Sequence, residues 1–120
     1  MKILNTIQIL LIIFWISCSK NHKSKDQIHS QIETIQQLAD SFYYEYELDS
    51  AIKYYEKAYK LAQMSGDEFK KQTSDNIANV AFCYSELDNY SLAIDYYQKA
   101  LEISKEVGNL KDIATLYSNM

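Results

Sequence analysis

The chain contains 120 residues, of which 48% are apolar and 23% charged, with a formal net charge of −4, no proline and only two glycines. The scarcity of glycine excludes the glycine-rich loops that bind phosphate, and without proline there is little turn chemistry for an all-β sandwich. All 12 basic residues are lysine, and the acidic net charge argues against nucleic acid as a partner. Two cysteines are too few for a disulfide framework or for a structural zinc bound by four thiolates.

The N-terminus carries the pattern of an export signal. A lysine at position 2 is followed by an unbroken run of eight apolar residues at positions 9–16. A helix that spans a bilayer needs roughly 20 predominantly apolar residues, and this run ends at Ser17. We therefore interpret it as the apolar core of a secretory signal peptide.

The residues at the end of this run, 15–18 (Trp-Ile-Ser-Cys), resemble the lipobox that precedes the lipidated cysteine of bacterial lipoproteins. The resemblance implies that residues 1–17 are removed and that Cys18 carries a lipid, so that the protein is exported and anchored to a membrane of the bacterial cell envelope. Three alternatives remain open: cleavage before Lys20, retention of the run as an uncut signal anchor, and an unmodified thiol. Residues 18–26, polar after the cysteine, are predicted to form a flexible tether.

A 42-residue repeat extends over the rest of the chain. Ten positions of the first copy recur 42 residues later with the same or a similar residue. They are Ile35, Ala39, Phe42, Ala51, Ile52, Tyr54, Tyr55, Lys57, Ala58 and Gly66 in the first copy, and Ile77, Ala81, Tyr84, Ala93, Ile94, Tyr96, Tyr97, Lys99, Ala100 and Gly108 in the second. This period predicts a first repeat at 27–66, a second at 67–108, and the first helix of an incomplete third repeat at 109–120.

Each repeat is predicted to consist of two α-helices. Apolar residues three or four positions apart form one stripe on the first helix of each pair. The stripe comprises Ile28, Ile32, Ile35, Leu38, Ala39 and Phe42 in the first repeat, and Ile77, Val80, Ala81, Tyr84 and Leu87 in the second. Asp49 and Ser91 are the predicted N-caps of the second helices. Gly66 and Gly108 follow those helices and suit a left-handed C-terminal position.

The apolar spacing resembles that of the tetratricopeptide repeat family. The matching motifs are Ile35-x2-Leu38-Ala39-x2-Phe42 with Ala51-x3-Tyr55, and Ile77-x2-Val80-Ala81-x2-Tyr84 with Ala93-x3-Tyr97. The period of 42 exceeds the family's ~34, which indicates helices about one turn longer. The resemblance implies an all-α fold, an α-solenoid of antiparallel helix pairs. In such a fold the alanines lie where helices approach most closely, and the aromatic side chains fill the space between neighbouring helices.

In this family the concave groove of the solenoid is lined mainly by the first helix of each pair. The alignment places Gln36, Asp40, Tyr43, Tyr44, Asp75, Asn79, Phe82 and Glu86 in that groove. The family's best-known clamp for an acidic peptide tail needs lysine, arginine and asparagine where this chain has Gln36, Asp40, Asn79, Thr115 and Asn119, and only Asn79 matches. The groove is therefore predicted to bind a neutral or basic protein or extended peptide. The alternative is an ordinary solvated surface.

The sequence offers no catalytic constellation, no cofactor motif and no metal site. His29 and Glu33 lie four residues apart, but no further ligands complete a site around them, and Cys83 is predicted to be a buried core residue. We therefore predict a non-catalytic, membrane-anchored module that binds another protein. The alternative is the N-terminal sensing or docking part of a longer signalling protein, such as a sensor histidine kinase or transcription regulator. Self-association through the last helix is a further hypothesis, based on Ile113, Leu116, Tyr117 and Met120.

Overall fold

The computed structural model describes residues 5–19 and 23–120, except for the side chains of residues 16–19. These residues form α-helices and no strand, which confirms the predicted all-α fold. The helices are α1 (Thr6–Ser19), α2 (Lys25–Tyr44), α3 (Leu48–Ser65), α4 (Lys70–Glu86), α5 (Tyr90–Val107) and α6 (Leu110–Asn119). A short 3₁₀ helix, Asp67–Phe69, precedes α4.

From α2 onward, helices that follow one another in the chain pack against one another. α2 packs on α3, α4 packs on both α3 and α5, and α6 packs on α5. Three-residue connections, 45–47 and 87–89, join α2 to α3 and α4 to α5, and connections this short make the joined helices antiparallel neighbours. The result is a stack of helix pairs, the architecture of an α-solenoid.

The small side chains of the core are alanines of the repeat. Ala39, Ala51 and Ala81 have no exposed surface, and Ala93 is only 3% exposed. A methyl side chain lets neighbouring helix backbones approach closely, so these positions tolerate little additional volume. The predicted burial of all four alanines is confirmed.

The large side chains of the core include aromatic residues of the repeat. Phe42 stacks on Tyr54 with ring centroids 5.3 Å apart, and Tyr84 stacks on Tyr96 at 5.5 Å. Three further tyrosines are almost completely buried in the same cluster: Tyr55, Tyr59 and Tyr97. Offset stacking of this kind adds about 0.5–1.5 kcal/mol per pair to the burial of the rings. Each stack joins the first helix of a pair to the second, and therefore holds the pair together.

The turns between paired helices share one backbone conformation. Tyr46 and Asp88 are 42 residues apart and adopt left-handed angles, with φ of 60° and 58°. In both turns the amide of the next residue donates to the carbonyl five positions earlier, at 2.9 Å. These bonds satisfy carbonyl groups that the end of a helix otherwise leaves without a partner.

The predicted N-caps of α3 and α5 are wrong by two residues. Asp49 and Ser91 each occupy the second position of their helix instead of preceding it. The left-handed residue reverses the chain so tightly that the next helix begins earlier than the cap pattern indicated. Asn89 caps α5 with its side chain, whereas Glu47, at the equivalent position before α3, makes no side-chain cap.

The two glycines that end the second helices adopt different conformations. Gly108 is left-handed as predicted, with φ 74° and ψ 24°, and Asn109 then caps α6 directly. For Gly66 the prediction is wrong, because its φ of 123° and ψ of 176° lie in a region that is essentially restricted to glycine. The chain after Gly66 forms the 3₁₀ helix Asp67–Phe69, which buries the ring of Phe69 beneath α2 and α3.

Two residues of the predicted apolar stripes are exposed. Leu38 is 42% exposed because α2 is the first helix of the stack and has no preceding helix pair to cover it. Leu87 is 43% exposed because α4 ends one residue before it. The remaining stripe residues are buried or half-buried.

The predicted tether is shorter than its pattern indicated. Ser24 caps α2 in a capping box, in which its side chain accepts from the amide of Gln27 while the Gln27 side chain accepts from the amide of Ser24. Residues 25 and 26, which the sequence assigned to the tether, are therefore helical, and at the other end of the predicted tether residues 18 and 19 belong to α1.

α1 is apolar and lies outside the hydrophobic core. The side chains of residues 5–15 are all exposed, and neither core cluster includes them. In the parts of the chain that the structure describes, no helix has both the length and the apolar character to cross a membrane. The side chain of Cys18 is outside the described residues, so its lipidation remains a prediction.

Candidate binding groove

Three adjoining recesses lie along the surface formed by α2, α4 and α6. The His29 recess, of about 480 Å³, is lined by His29, Glu33, Gln36, Gln37, Asp40, Lys71, Gln72 and Asp75. The aromatic recess, of about 260 Å³, is lined by Asp40, Tyr43, Tyr44, Tyr55, Asn79, Phe82 and Cys83. The α6 recess, of about 420 Å³, is lined by Gln36, Ser74, Asp75, Ala78, Asn79, Phe82, Asp112, Thr115, Leu116 and Asn119. Because each recess shares residues with the others, together they form one groove.

The structure brings together seven of the eight residues that the sequence assigned to the groove. Only Glu86 lines none of the recesses, although it lies near the aromatic recess. Burial, and after it the charge of Glu86, raises the pKa of Tyr43. A binding role for these residues is still a prediction.

The His29 recess contains a network of polar contacts. His29 lies 3.1 Å from the carboxylate of Glu33 and 2.8 Å from the side-chain nitrogen of Gln72, so it connects α2 to α4. Lys71 pairs with Asp75 at 2.8 Å and with Asp112 at 3.6 Å. Among the described residues, no three of the types His, Cys, Asp and Glu converge as metal ligands.

Two charges in the groove were not predicted from the sequence. Lys71 lies in the first turn of α4 and Asp112 in the first turn of α6, so the stack brings them together with Asp75 across two helices. The hydrogen bond to Asp75 raises the pKa of Lys71. Burial raises the pKa of Asp75, while Lys71 acts in the opposite direction. Among the described residues, Lys71 is the only lysine that lines the three recesses, and it is paired with carboxylates.

The aromatic recess combines a fixed carboxylate with exposed rings. The buried Tyr55 hydroxyl donates to Asp40 Oδ1 at 2.5 Å. Burial and this bond raise the pKa of Tyr55 well above its usual value. The Tyr43 ring lies 5.9 Å from that of Tyr44 and 5.8 Å from that of Phe82. The recess thus combines the carboxylate of Asp40, whose orientation is fixed by Tyr55, with three neighbouring rings from α2 and α4.

Buried polar contacts hold the helices that carry the groove. Asn76 has no exposed surface, and its side-chain nitrogen donates to Gln36 at 3.3 Å and to the Gln72 carbonyl at 2.8 Å. Ser74 bonds to Ser104 at 2.6 Å and donates to the Ala100 carbonyl at 2.9 Å, so α4 is joined to α5. These contacts fix the position of α4 between its neighbours. The helical period gave no signal for them, because it distinguishes only apolar from polar faces.

Cys83 lines the aromatic recess, but its burial disfavours the thiolate form. It has no exposed surface, as predicted. Burial, and then the charge of Glu86, raises the pKa of Cys83 to about 11. Because the thiolate is the reactive form of cysteine, this side chain acts as a small apolar residue.

A comparison with protein-family models agrees with this architecture. No curated protein matches the chain. The family model described as tetratricopeptide repeat matches residues 31–106, which is more than half of the chain. This range begins within α2 and ends within α5, so it covers most of both repeats and most of the α2 and α4 surfaces of the groove. The chain therefore belongs to the tetratricopeptide repeat family.

Proposed function

We propose that this protein is a non-catalytic, membrane-anchored module that binds an extended segment of another protein in the groove formed by α2, α4 and α6. Tetratricopeptide repeats generally mediate protein–protein interactions, and the family is typically non-catalytic. The observation that carries the proposal is the row of three shallow, connected recesses on the first-helix surface. Such a surface suits a chain that occupies several sites in succession better than one enclosed small molecule.

The charge of the groove favours a neutral or basic segment. In the part of the chain that the structure describes, the lining includes one lysine, Lys71, and four carboxylates: Glu33, Asp40, Asp75 and Asp112. Because Lys71 already pairs with two of these carboxylates, the groove presents net negative charge to a partner. A carboxylate-rich peptide would therefore be repelled at short range.

The properties of α1 support anchoring at a membrane. Its side chains are apolar and exposed over residues 7–15 apart from Gln8, and an apolar helix with no core of its own to pack on is unfavourable in water. The lipobox resemblance at residues 15–18 places the modified residue at Cys18. Several acyl chains at about 0.8 kcal/mol per buried methylene give stable anchoring, which one chain does not.

Site-specific photo-crosslinking tests the groove. A photoreactive phenylalanine derivative replaces Asn79, which lines two recesses, and in a matched variant replaces Asp95, which is exposed on α5 outside the groove. We expect a discrete adduct with one partner protein from position 79 and none from position 95. Equal adducts from both positions, or none from position 79 in intact cells, would contradict a binding groove.

Detergent partitioning tests the anchor. We expect the protein expressed in a bacterium to incorporate an alkyne-labelled fatty acid and to enter the detergent phase, and expect Cys18→Ala to abolish both. The control is Cys83→Ala, which removes the buried cysteine and should retain label and partitioning. Labelling that persists in Cys18→Ala would exclude Cys18 as the lipidated residue.

A further inference from the structure

The aromatic recess has the composition of a site for one positively charged side chain. It is lined by one carboxylate, four aromatic rings and no lysine. Its volume of about 260 Å³ is below the roughly 300–1,000 Å³ of small-molecule pockets, so it fits a single side chain better than a whole cofactor.

The carboxylate of the recess is held in place and is not neutralised by a neighbour. The Tyr55 hydroxyl occupies Asp40 Oδ1 at 2.5 Å. No described residue donates to Oδ2 of Asp40, and no ion pair involves Asp40 in the part of the chain that the structure describes. Tyr55 is itself buried in the core, so the orientation of the carboxylate is set before any ligand arrives.

Two of the rings beside Asp40 are exposed to solvent. Tyr44 is 84% exposed and Phe82 is 40% exposed, although both lie on helices whose other faces are buried in the stack. The Tyr43 ring lies between them, within 6 Å of each. Aromatic faces attract cations through their quadrupoles, and the attraction strengthens when the cation is partly removed from water.

We propose that this recess, Asp40 with the rings of Tyr43, Tyr44 and Phe82, binds an arginine or lysine side chain of the partner segment. The arginine or lysine side chain lies against the rings, while its charged group pairs with Oδ2 of Asp40. The second carboxylate nearby, that of Glu86, adds to the negative potential, as its effect on Tyr43 indicates. This inference rests on the proposed function, because it assigns an anchor residue to the ligand of the same groove.

A pair of labelled peptides tests the anchor. One is a fluorescein-labelled heptapeptide of serine and asparagine with a single central arginine; the other carries citrulline, which has the same shape and no charge. Fluorescence anisotropy gives the Kd of each for the full chain in dodecyl maltoside micelles. We expect the arginine peptide to bind at least about fivefold more tightly, since a cation–π contact and an ion pair act together.

Variants of the recess test whether its residues cause the preference for the arginine peptide. Asp40→Asn and Tyr43→Ser should each reduce the ratio of the two Kd values toward one. The matched control, Asp95→Asn, removes the same charge from α5 outside the groove and should keep the ratio. Far-UV circular dichroism of each variant shows whether the helices are retained, and Tyr43→Ser introduces the residue that the second repeat already has at this position, Ser85.

The outcomes separate this inference from the proposed function. Equal Kd values for the two peptides, or a ratio that Asp40→Asn leaves unchanged, overturn the cation site while crosslinking at Asn79 still supports the groove. Absence of measurable binding of the arginine peptide at millimolar concentration also overturns the cation site. If crosslinks from position 79 are absent as well, both proposals fail.

Discussion

The two complete repeats have the same core and different groove surfaces. Phe42 on Tyr54 and Tyr84 on Tyr96 are equivalent stacks with centroid distances that differ by 0.2 Å (5.5 minus 5.3). By contrast, the position of Asp40 in the first repeat is held by Phe82 in the second. The same helix period therefore fixes packing in both copies, while residues that face the groove are free to diverge. A ligand in the groove would contact these divergent residues. In the aromatic recess, the carboxylate of Asp40 and the ring of Phe82 come from equivalent positions of successive repeats.

The repeats also differ where the chain leaves each helix pair. Gly66 leads into a 3₁₀ helix that buries Phe69, whereas Gly108 is left-handed and leads directly into the Asn109 cap. The inner turns at Tyr46 and Asp88 are by contrast the same. The connections inside the two helix pairs therefore share one backbone conformation. The connections that follow each pair differ, and the one after Gly66 buries an additional ring.

Alkaline pH is expected to have the largest effect on stability. Burial and the bond to Asp40 raise the pKa of Tyr55, and burial and the bond to Glu56 raise that of Tyr96. In the unfolded chain these tyrosines lose their protons near pH ~10, while the folded chain retains them. Between the unfolded and folded pKa values the unfolded state binds fewer protons, so stability falls as pH rises. Urea midpoints measured from about pH 8 to 11 should decrease steadily above pH ~9.5.

Conservative variants show whether the repeats differ in this respect. Tyr55→Phe should reduce the alkaline loss of stability more than Tyr97→Phe, because of these two tyrosines it is Tyr55 that donates to a carboxylate. Identical alkaline slopes for the two variants would show that burial alone raises both pKa values, and the first repeat would then have no special contact at Asp40.

Truncation of the equivalent core tyrosines should have the next largest effect. Tyr55→Ala and Tyr97→Ala each remove a buried ring and should each lower the free energy of unfolding by about 3–5 kcal/mol. Urea denaturation followed by circular dichroism measures both, with Tyr90→Ala, an exposed ring, as the control. A loss below about 1 kcal/mol for either core variant would show that its repeat is not part of one cooperative core.

The fold was largely predictable from the sequence because the signal is periodic and repeated. Ala39 and Ala81, or Phe42 and Tyr84, are recognised as equivalent by their 42-residue separation alone, and the structure buries or stacks them alike. Helix starts were less predictable. Asp49 was read as a cap by its residue type, but the left-handed Tyr46 decided where α3 begins. A backbone angle at a tyrosine leaves no mark in the sequence.

The candidate site was predictable in its positions but not in its contacts. Alignment with the family gave Asp40, Asn79 and Phe82, which line adjoining recesses. It could not give the bond from Tyr55 to Asp40, because one residue was assigned to the core and the other to the surface. The contact of Lys71 with Asp112 was equally invisible, since it depends on how far α6 lies from α4.

Replacing each of the two glycines with alanine should show that the two connections differ, with a smaller effect on stability than the loss of a core tyrosine ring. A Cβ atom at either position would meet no atom within 4 Å, so backbone strain is what makes the two replacements differ in cost. Gly66→Ala should cost about 2–3 kcal/mol because its conformation is essentially restricted to glycine, and Gly108→Ala about 1 kcal/mol because alanine tolerates the left-handed region better. Urea denaturation compares the two. Equal costs would mean that the chain at Gly66 relaxes to an ordinary conformation, and the two connections would be equivalent.

The inner turns offer the smallest and the only stabilising change. Tyr46 holds a left-handed angle with a side chain that is 68% exposed, so Tyr46→Gly removes strain and loses little contact. We expect the free energy of unfolding to rise by about 0.5–1 kcal/mol. Asp88→Gly relieves the same strain but removes the hydrogen bond that Tyr90 donates to Asp88 at 2.8 Å, so its gain should be smaller. A scan of urea midpoints for both variants decides the order. A loss of stability in Tyr46→Gly would show that the tyrosine ring contributes contacts that outweigh the strain, and the two turns would then be alike in backbone but not in energy.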